Sequence, residues 1–140
     1  MTRPSVGVAV VNWNAGEALA RCLASVAASD WSAVDLDAVV VVDNGSTDGS
    51  ADHLPATLPL TVIRNAVNRG FGAACNQAAA TLASDYILFL NPDTRVGADT
   101  IPVAVAWLEE PSHAQTGIVG VQLFGDDGAV SRTCARFPTA

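Results

Sequence analysis

Ala38-Val39-Val40-Val41-Val42-Asp43-Asn44-Gly45-Ser46 runs from five apolar residues, four of them valine, into an acid, an amide, a glycine and a serine. A strand that is apolar at every position is covered on both faces, which is the condition of a parallel sheet between helices. Three other stretches take the same form. Residues 6–11 are valine-rich and end at Asn12, residues 60–64 run into a loop over 65–70, and residues 86–90 stop at Asn91-Pro92. Helical patterns separate them. Residues 17–29 place Leu19, Cys22, Leu23, Val26 and Ala27 at the i, i+3, i+4, i+7 spacing of an amphipathic helix. A short helix is expected over 48–54 and a small-residue helix over 71–83. A further helix is expected over 99–110, with Pro102 in the first turn, where its missing N–H has no partner to lose. Strands alternating with helices predict an α/β domain, a doubly wound, mostly parallel sheet occupying residues 1–140. The tail differs: residues 118–124 and 129–132 read as two strands around the turn Gly125-Asp126-Asp127-Gly128. Residues 56–59 and 111–116 read as flexible connections.

Composition narrows the chemistry. The chain has 140 residues, of which 50% are apolar and 15% charged, and a net charge of −7. That apolar content suits one domain with a real core and excludes a mainly disordered chain. No apolar run approaches the roughly 18–20 residues of a membrane-spanning helix. The start, Met1-Thr2-Arg3-Pro4, leads straight into a strand and shows no secretory signal. There is no lysine, so Schiff-base chemistry and a Walker-type phosphate loop are excluded. Seven scattered arginines on an acidic chain make no nucleic-acid footprint. Cys22, Cys75 and Cys134 stand far apart, and His53 and His113 lack cysteine neighbours at ligand spacing, which argues for a reducing cytoplasm and against zinc.

In open α/β sheets, ligands bind beyond the carboxyl ends of the strands. All four predicted strands end in polar residues: Asn12-Trp13-Asn14, Asp43-Asn44-Gly45-Ser46, Asn65 through Gly70, and Asn91-Pro92-Asp93. Parallel strands put these on one edge, whereas the opposite loops are plainer. The 43–50 segment reads as a turn with Ser46 capping a helix, or as a base-recognition loop in which Asp43 accepts the N3–H of uracil or thymine. Asn91-Pro92-Asp93-Thr94 fits a type I turn, and equally a site where Asp93 holds Mn²⁺ or Mg²⁺ on a diphosphate. Gly70 and Gly72 half resemble a dinucleotide fingerprint, but Cys75 stands at the third small position and the segment follows the third strand, which argues against an NAD site. There the glycines permit a sharp turn and close helix packing, and Asn76 either reaches the site or bonds a neighbouring loop.

With these motifs the chain resembles the family 2 glycosyltransferases of GT-A fold, and within them the rhamnosyltransferase-type branch. The resemblance rests on residues 10–14 and 42–49, on Asn68-x-Gly70-x-Gly72-x-Ala74-x-Asn76, on Leu90-Asn91-Pro92-Asp93, and on the tail with Arg136-Phe137-Pro138. It implies an inverting, metal-dependent transfer from a nucleoside-diphosphate sugar, dTDP-rhamnose or a UDP-sugar, to a cell-surface polysaccharide or lipid-linked acceptor. Val11 and Asn12 would line the nucleoside pocket, with Trp13 and Asn14 beside it, Asp43 would bind the pyrimidine edge, and Asn44 counts among the donor-binding residues. Gly70 and Asn76 belong to the donor-side loop and helix. Asn91 and Asp93 stand at the Asp-x-Asp metal motif, with Asp93 as ligand and Asn91 an amide in place of the first acid. The resemblance further implies that this is the donor-binding half of a truncated enzyme, inactive alone, whose catalytic base lies beyond Ala140. Surface exposed by the truncation predicts self-association. A lipid-carried acceptor would place the enzyme in the cytoplasm, peripheral at the inner membrane. Two rivals remain, a nucleotidyltransferase and a non-catalytic nucleotide-sugar-binding fragment.

Overall fold

The computed structural model describes residues 2–131. Its order is β1 (Ser5–Asn12), α1 (Glu17–Ala27), β2 (Asp35–Asp43), β3 (Leu60–Arg64), α2 (Phe71–Ala79), β4 (Tyr86–Leu90) and α3 (Thr100–Glu109), then β5 (Leu123–Phe124) and β6 (Val130–Ser131). The first four strands form one sheet in the order β3-β2-β1-β4, and every pair is parallel. β5 and β6 pair antiparallel as a separate ribbon.

Alternate side chains of the apolar strands point to opposite faces, so each face needs its own cover. On one face Val8, Val10, Val39 and Val41 pack with Leu19, Leu23 and Val26 of α1. Ile101 and Val105 of α3 join Val6 and Val34 in a smaller cluster that shares Leu88 and Trp31 with the first. On the other face Ala9, Val11, Val40 and Val42 pack with Ala74 and Ala78 of α2. Alanines there let α2 lie close to the sheet, as the small-residue pattern implied. Helices on both faces of a parallel sheet make the doubly wound architecture expected from the valine runs.

The differences have local causes. No helix forms over 48–54. The Asp48 carboxylate accepts the Ser50 N–H at 3.0 Å and the Ser50 hydroxyl at 2.6 Å, and its second oxygen accepts Gly16 N–H at 2.9 Å. Short polar side chains that bond nearby backbone in this way compete with helix formation. Gly49 has a φ of 73°, so only the single turn closed by Asp52 N–H on Gly49 C=O survives. α1 stops at Ala27 and α2 at Ala79, where Thr81 N–H turns back to Ala78 C=O. The tail strands are two residues each, shorter than expected. Residues 111–113 of the second connection form a 3₁₀ turn. Arg132, Cys134 and Arg136-Phe137-Pro138 lie outside the described residues.

Candidate functional site

Asn12, Asp43 and Arg64 are the last residues of β1, β2 and β3, and register places Asn12 opposite Asp43 and Asp43 opposite Arg64. Three side chains from three strands therefore meet in one row. The Asn12 amide is fully buried and donates to Asp43 Oδ1 at 3.1 Å, Ser46 Oγ at 3.1 Å and Ser50 Oγ at 2.8 Å. Asp43 is 5% exposed, and its Oδ2 accepts from the Arg64 guanidinium at 3.3 Å. Arg64 is anchored in turn by Ala51 C=O at 2.8 Å and Asp52 at 3.1 Å. A buried carboxylate is costly unless charged and hydrogen-bonded partners compensate it, and this row supplies both. The acid that ends the valine strand has its explanation here.

Around the row the loops brace one another. Ser46, expected to cap a helix, accepts the Asn14 N–H at 3.0 Å, and the Asn14 side-chain oxygen accepts Thr47 N–H at 2.8 Å. Asn14 has a φ of 52°, the left-handed region that asparagine tolerates. Asn44 is 2% exposed and faces the 65–70 loop. Its oxygen accepts Asn65 Nδ2 and Arg69 N–H, both at 3.0 Å, and its nitrogen donates to Asn68 at 2.8 Å and Gly70 C=O at 3.4 Å. Asn44 thus clamps the loop that leads into α2. Asn65 and Gln77 exchange amide hydrogen bonds at 2.8 and 3.0 Å, tying the same loop to the helix. Gly70 precedes α2 at a φ of 87°, and Asn76 lies exposed one turn further on. Val11 is buried beneath, in the α2-side core.

At the end of β4, Asn91 C=O accepts Thr94 N–H at 3.1 Å and the Thr94 hydroxyl at 2.7 Å, closing the β-turn expected there. Both Asn91 and Asp93 are exposed. The turn rests on Cys22 of α1, whose Sγ lies 3.5 Å from Asn91 C=O. Burial, with the Asp93 charge added, pushes the Cys22 thiol up to about 12, so it is neutral and inert here. No three His, Cys, Asp or Glu side chains converge among the described residues. Asp93 instead offers one exposed carboxylate at the mouth of the sheet. That suits a hard divalent cation that takes most of its ligands from phosphate and water.

One further atom marks this edge. Asn12 Oδ1 is buried without a hydrogen-bond partner among the described residues. A cavity of about 650 Å³ lies elsewhere, between β4, α3 and residues 117–121, and is lined mainly by apolar side chains such as Tyr86, Leu88, Ile101 and Ile118. It flanks the outer edge of β4, whereas the strand-end edge carries the buried polar row and the exposed Asp93. Sequence reasoning passed over Arg64, Ser46 as a partner of Asn12, and the Asn65–Gln77 exchange. A row drawn across strand ends would have found Arg64, since it closes β3 as Asp43 closes β2.

Solved glycosyltransferase structures share this fold. A mannosyltransferase from Pyrobaculum calidifontis, solved with GDP-Man and Mn²⁺, superposes with a TM-score of 0.70 at 29% identity, over 79% of this chain and 34% of its own. Residues 1–349 of S. aureus TarS in complex with UDP-GlcNAc superpose with a TM-score of 0.67 at 27% identity, over 76% of this chain and 31% of that one. The chain thus spans about a third of the length of these structures. No curated protein matches the sequence. The sheet with its two helical layers is the fold of these GT-A glycosyltransferases, of which the chain forms part. The model of glycosyl transferase family 2 matches residues 7–133, and the chain belongs to that family.

Proposed function

We propose that this chain forms the donor-binding part of an inverting, metal-dependent glycosyltransferase, and that the row Asn12–Asp43–Arg64 at the strand ends receives the nucleoside of a nucleoside-diphosphate sugar. The observation that carries the reading is the buried, fully braced Asp43 carboxylate beside the unpartnered Asn12 Oδ1, facing the same edge as the exposed Asp93. Support comes from family membership and from relatives solved with UDP-GlcNAc and GDP-Man. Asp43 accepts the ring N–H of the base, with Asn12 and Asn14 beside it. Val11 and Asn44 build the floor and the loop around the nucleoside, and Gly70 and Asn76 face the donor from the α2 side. Asn91 and Asp93 take the diphosphate end, where Asp93 would hold Mn²⁺ or Mg²⁺. The ion, when bound, would supply charge stabilisation to the departing diphosphate.

In the whole enzyme an acceptor hydroxyl loses its proton to a base and its oxygen bonds to the anomeric carbon from the face opposite the diphosphate. The bond from that carbon to the diphosphate oxygen breaks, which inverts the centre. The motifs favour the rhamnosyltransferase-type branch, hence dTDP-rhamnose or a UDP-sugar as donor and a cell-surface polysaccharide or lipid-linked acceptor. Among the described residues no helix is long and apolar enough to cross a membrane. The reading places the enzyme in the cytoplasm, meeting a lipid-linked acceptor at the inner membrane surface.

Calorimetric titration tests the donor assignment. UDP or dTDP is expected to bind in the presence of Mn²⁺, and Asp43→Ala to weaken that binding at least about tenfold through loss of a charged hydrogen-bond acceptor. Unchanged binding in Asp43→Ala would refute the role of that residue. The outer edge of β4, without a partner strand among the described residues, with Phe89 50% exposed and no lysine or proline within the strand, also supports self-association through this edge. Sedimentation showing only monomer at high concentration would contradict that.

A further inference from the structure

Asp93 stands on the loop over 91–98 that joins β4 to α3. A carboxylate on a loop holds a cation well where the loop is already fixed, because ordering the backbone at the moment of binding subtracts from the affinity. The ties on this loop come from α1 and the residues just after it. Cys22 S–H donates to Asn91 C=O at 3.5 Å, Ser25 Oγ accepts Val96 N–H at 3.1 Å, and Asp30 N–H donates to Ala98 C=O at 2.7 Å. Leu90 and Val96, on either side of Asp93, pack against the core that holds Leu19, Leu23 and Val26 of the same helix.

Cys22 and Ser25 are three residues apart and share one face of α1. The Ser25 hydroxyl donates its single hydrogen to Cys22 C=O at 2.6 Å, within its own helix, which leaves its lone pairs to accept Val96 N–H. On the outer side the loop carries the Arg95–Asp126 pair at 2.7 Å, which is exposed at both partners and so contributes little. We propose that Ser25 is a positioning residue for the divalent cation. By holding Val96 N–H it fixes the loop with Asp93 already presented to the diphosphate. The inference rests on the donor-binding reading above, in which Asp93 is the metal ligand. Ser25 acts through the backbone of Val96, three residues beyond Asp93.

The test measures UDP affinity by calorimetry, once with Mn²⁺ and once with a chelator, and reads the ratio of the two. Ser25→Ala removes the acceptor and should lower the ratio about fivefold, the scale of one lost hydrogen bond. Ser25→Cys keeps the shape but offers only a weak sulfur acceptor, so it should lower the ratio as well and keeps the test open if Ser25→Ala fails to fold. Thr81→Ala is the control. It removes a hydroxyl bond of the same kind, to Ala78 C=O at 2.8 Å, beyond the end of α2 on the other face of the sheet, and should leave the ratio in place. General loss of stability weakens both affinities alike and does not move the ratio. An unchanged ratio in the folded Ser25 variants, or an equal loss in Thr81→Ala, would overturn the proposal while the donor-binding reading stands. Asp93→Ala separates the two. If it keeps the full Mn²⁺ enhancement, or the folded wild type shows none, the assignment of Asp93 falls and this proposal with it.

Discussion

Replacing Gly45 with alanine is expected to destabilise the protein by about 3 kcal/mol, lowering Tm by roughly 10 °C in a chain of this size. Two effects add. Gly45 sits at a φ of +80°, where a β-carbon alone costs about 1–2 kcal/mol. The added carbon would also lie 2.8 Å from the Val67 carbonyl carbon and 2.9 Å from Asn68 N, both backbone atoms that no side-chain rotation can move. Relief requires the 65–70 loop to shift, and that loop is what the neighbouring Asn44 clamps. The variant should therefore lose nucleotide affinity along with stability. Gly70→Ala is the control. Its φ is similar, +87°, but nothing lies within 4 Å of the added carbon, so only the backbone strain remains and the loss should be about half as large. Equal losses in the two variants would show that the contact with Val67 and Asn68 contributes nothing.

Asp93→Ala has the largest expected effect on binding with the least on the fold. The residue is exposed at the turn after β4, so its removal should change stability by no more than about 0.5 kcal/mol. Nucleotide affinity in the presence of Mn²⁺ should fall by roughly 10- to 100-fold, because the cation loses its protein carboxylate while the diphosphate keeps its charge. Affinity in the presence of a chelator should be the same in both proteins. If Asp93→Ala keeps the full metal enhancement, the cation is held elsewhere. Asn91→Asp runs the other way and should tighten the metal-linked component, since a carboxylate replaces an exposed amide next to the same turn.

How much of this was readable from the chain depends on whether the deciding contacts are local. The valine run of β2 and its three companions fixed the parallel sheet, because apolar strands of this length have few other environments. The alternation of faces then required two helical layers, which Leu19, Leu23 and Val26 on one side and Ala74 and Ala78 on the other provide. The expected helix at 48–54 failed because Asp48 bonds Ser50 and Gly16, the second of them 32 residues away. No local pattern reports that distance.

The site divides in the same way. Polar residues at four strand ends mark an edge, and their identity is legible one loop at a time. Which of them face a ligand and which face each other is set by register and loop packing. Asn44 and Asp43 are adjacent in sequence, yet one clamps a loop and the other joins the row across the strand ends. Arg64 carries no motif at all, and its meeting with Asp43 follows only once β2 and β3 are paired residue by residue.

The central claim is that the nucleotide lies at the strand-end edge and not in the apolar cavity. Amide NMR of the labelled protein tests it most directly, with UDP and Mg²⁺ added first and Mn²⁺ substituted afterwards. The account predicts shifts confined to residues 12–16, 43–50, 65–70 and 91–94, with Mn²⁺ broadening centred on Asp93. Shifts centred instead on β4, α3 and residues 117–121 would contradict it.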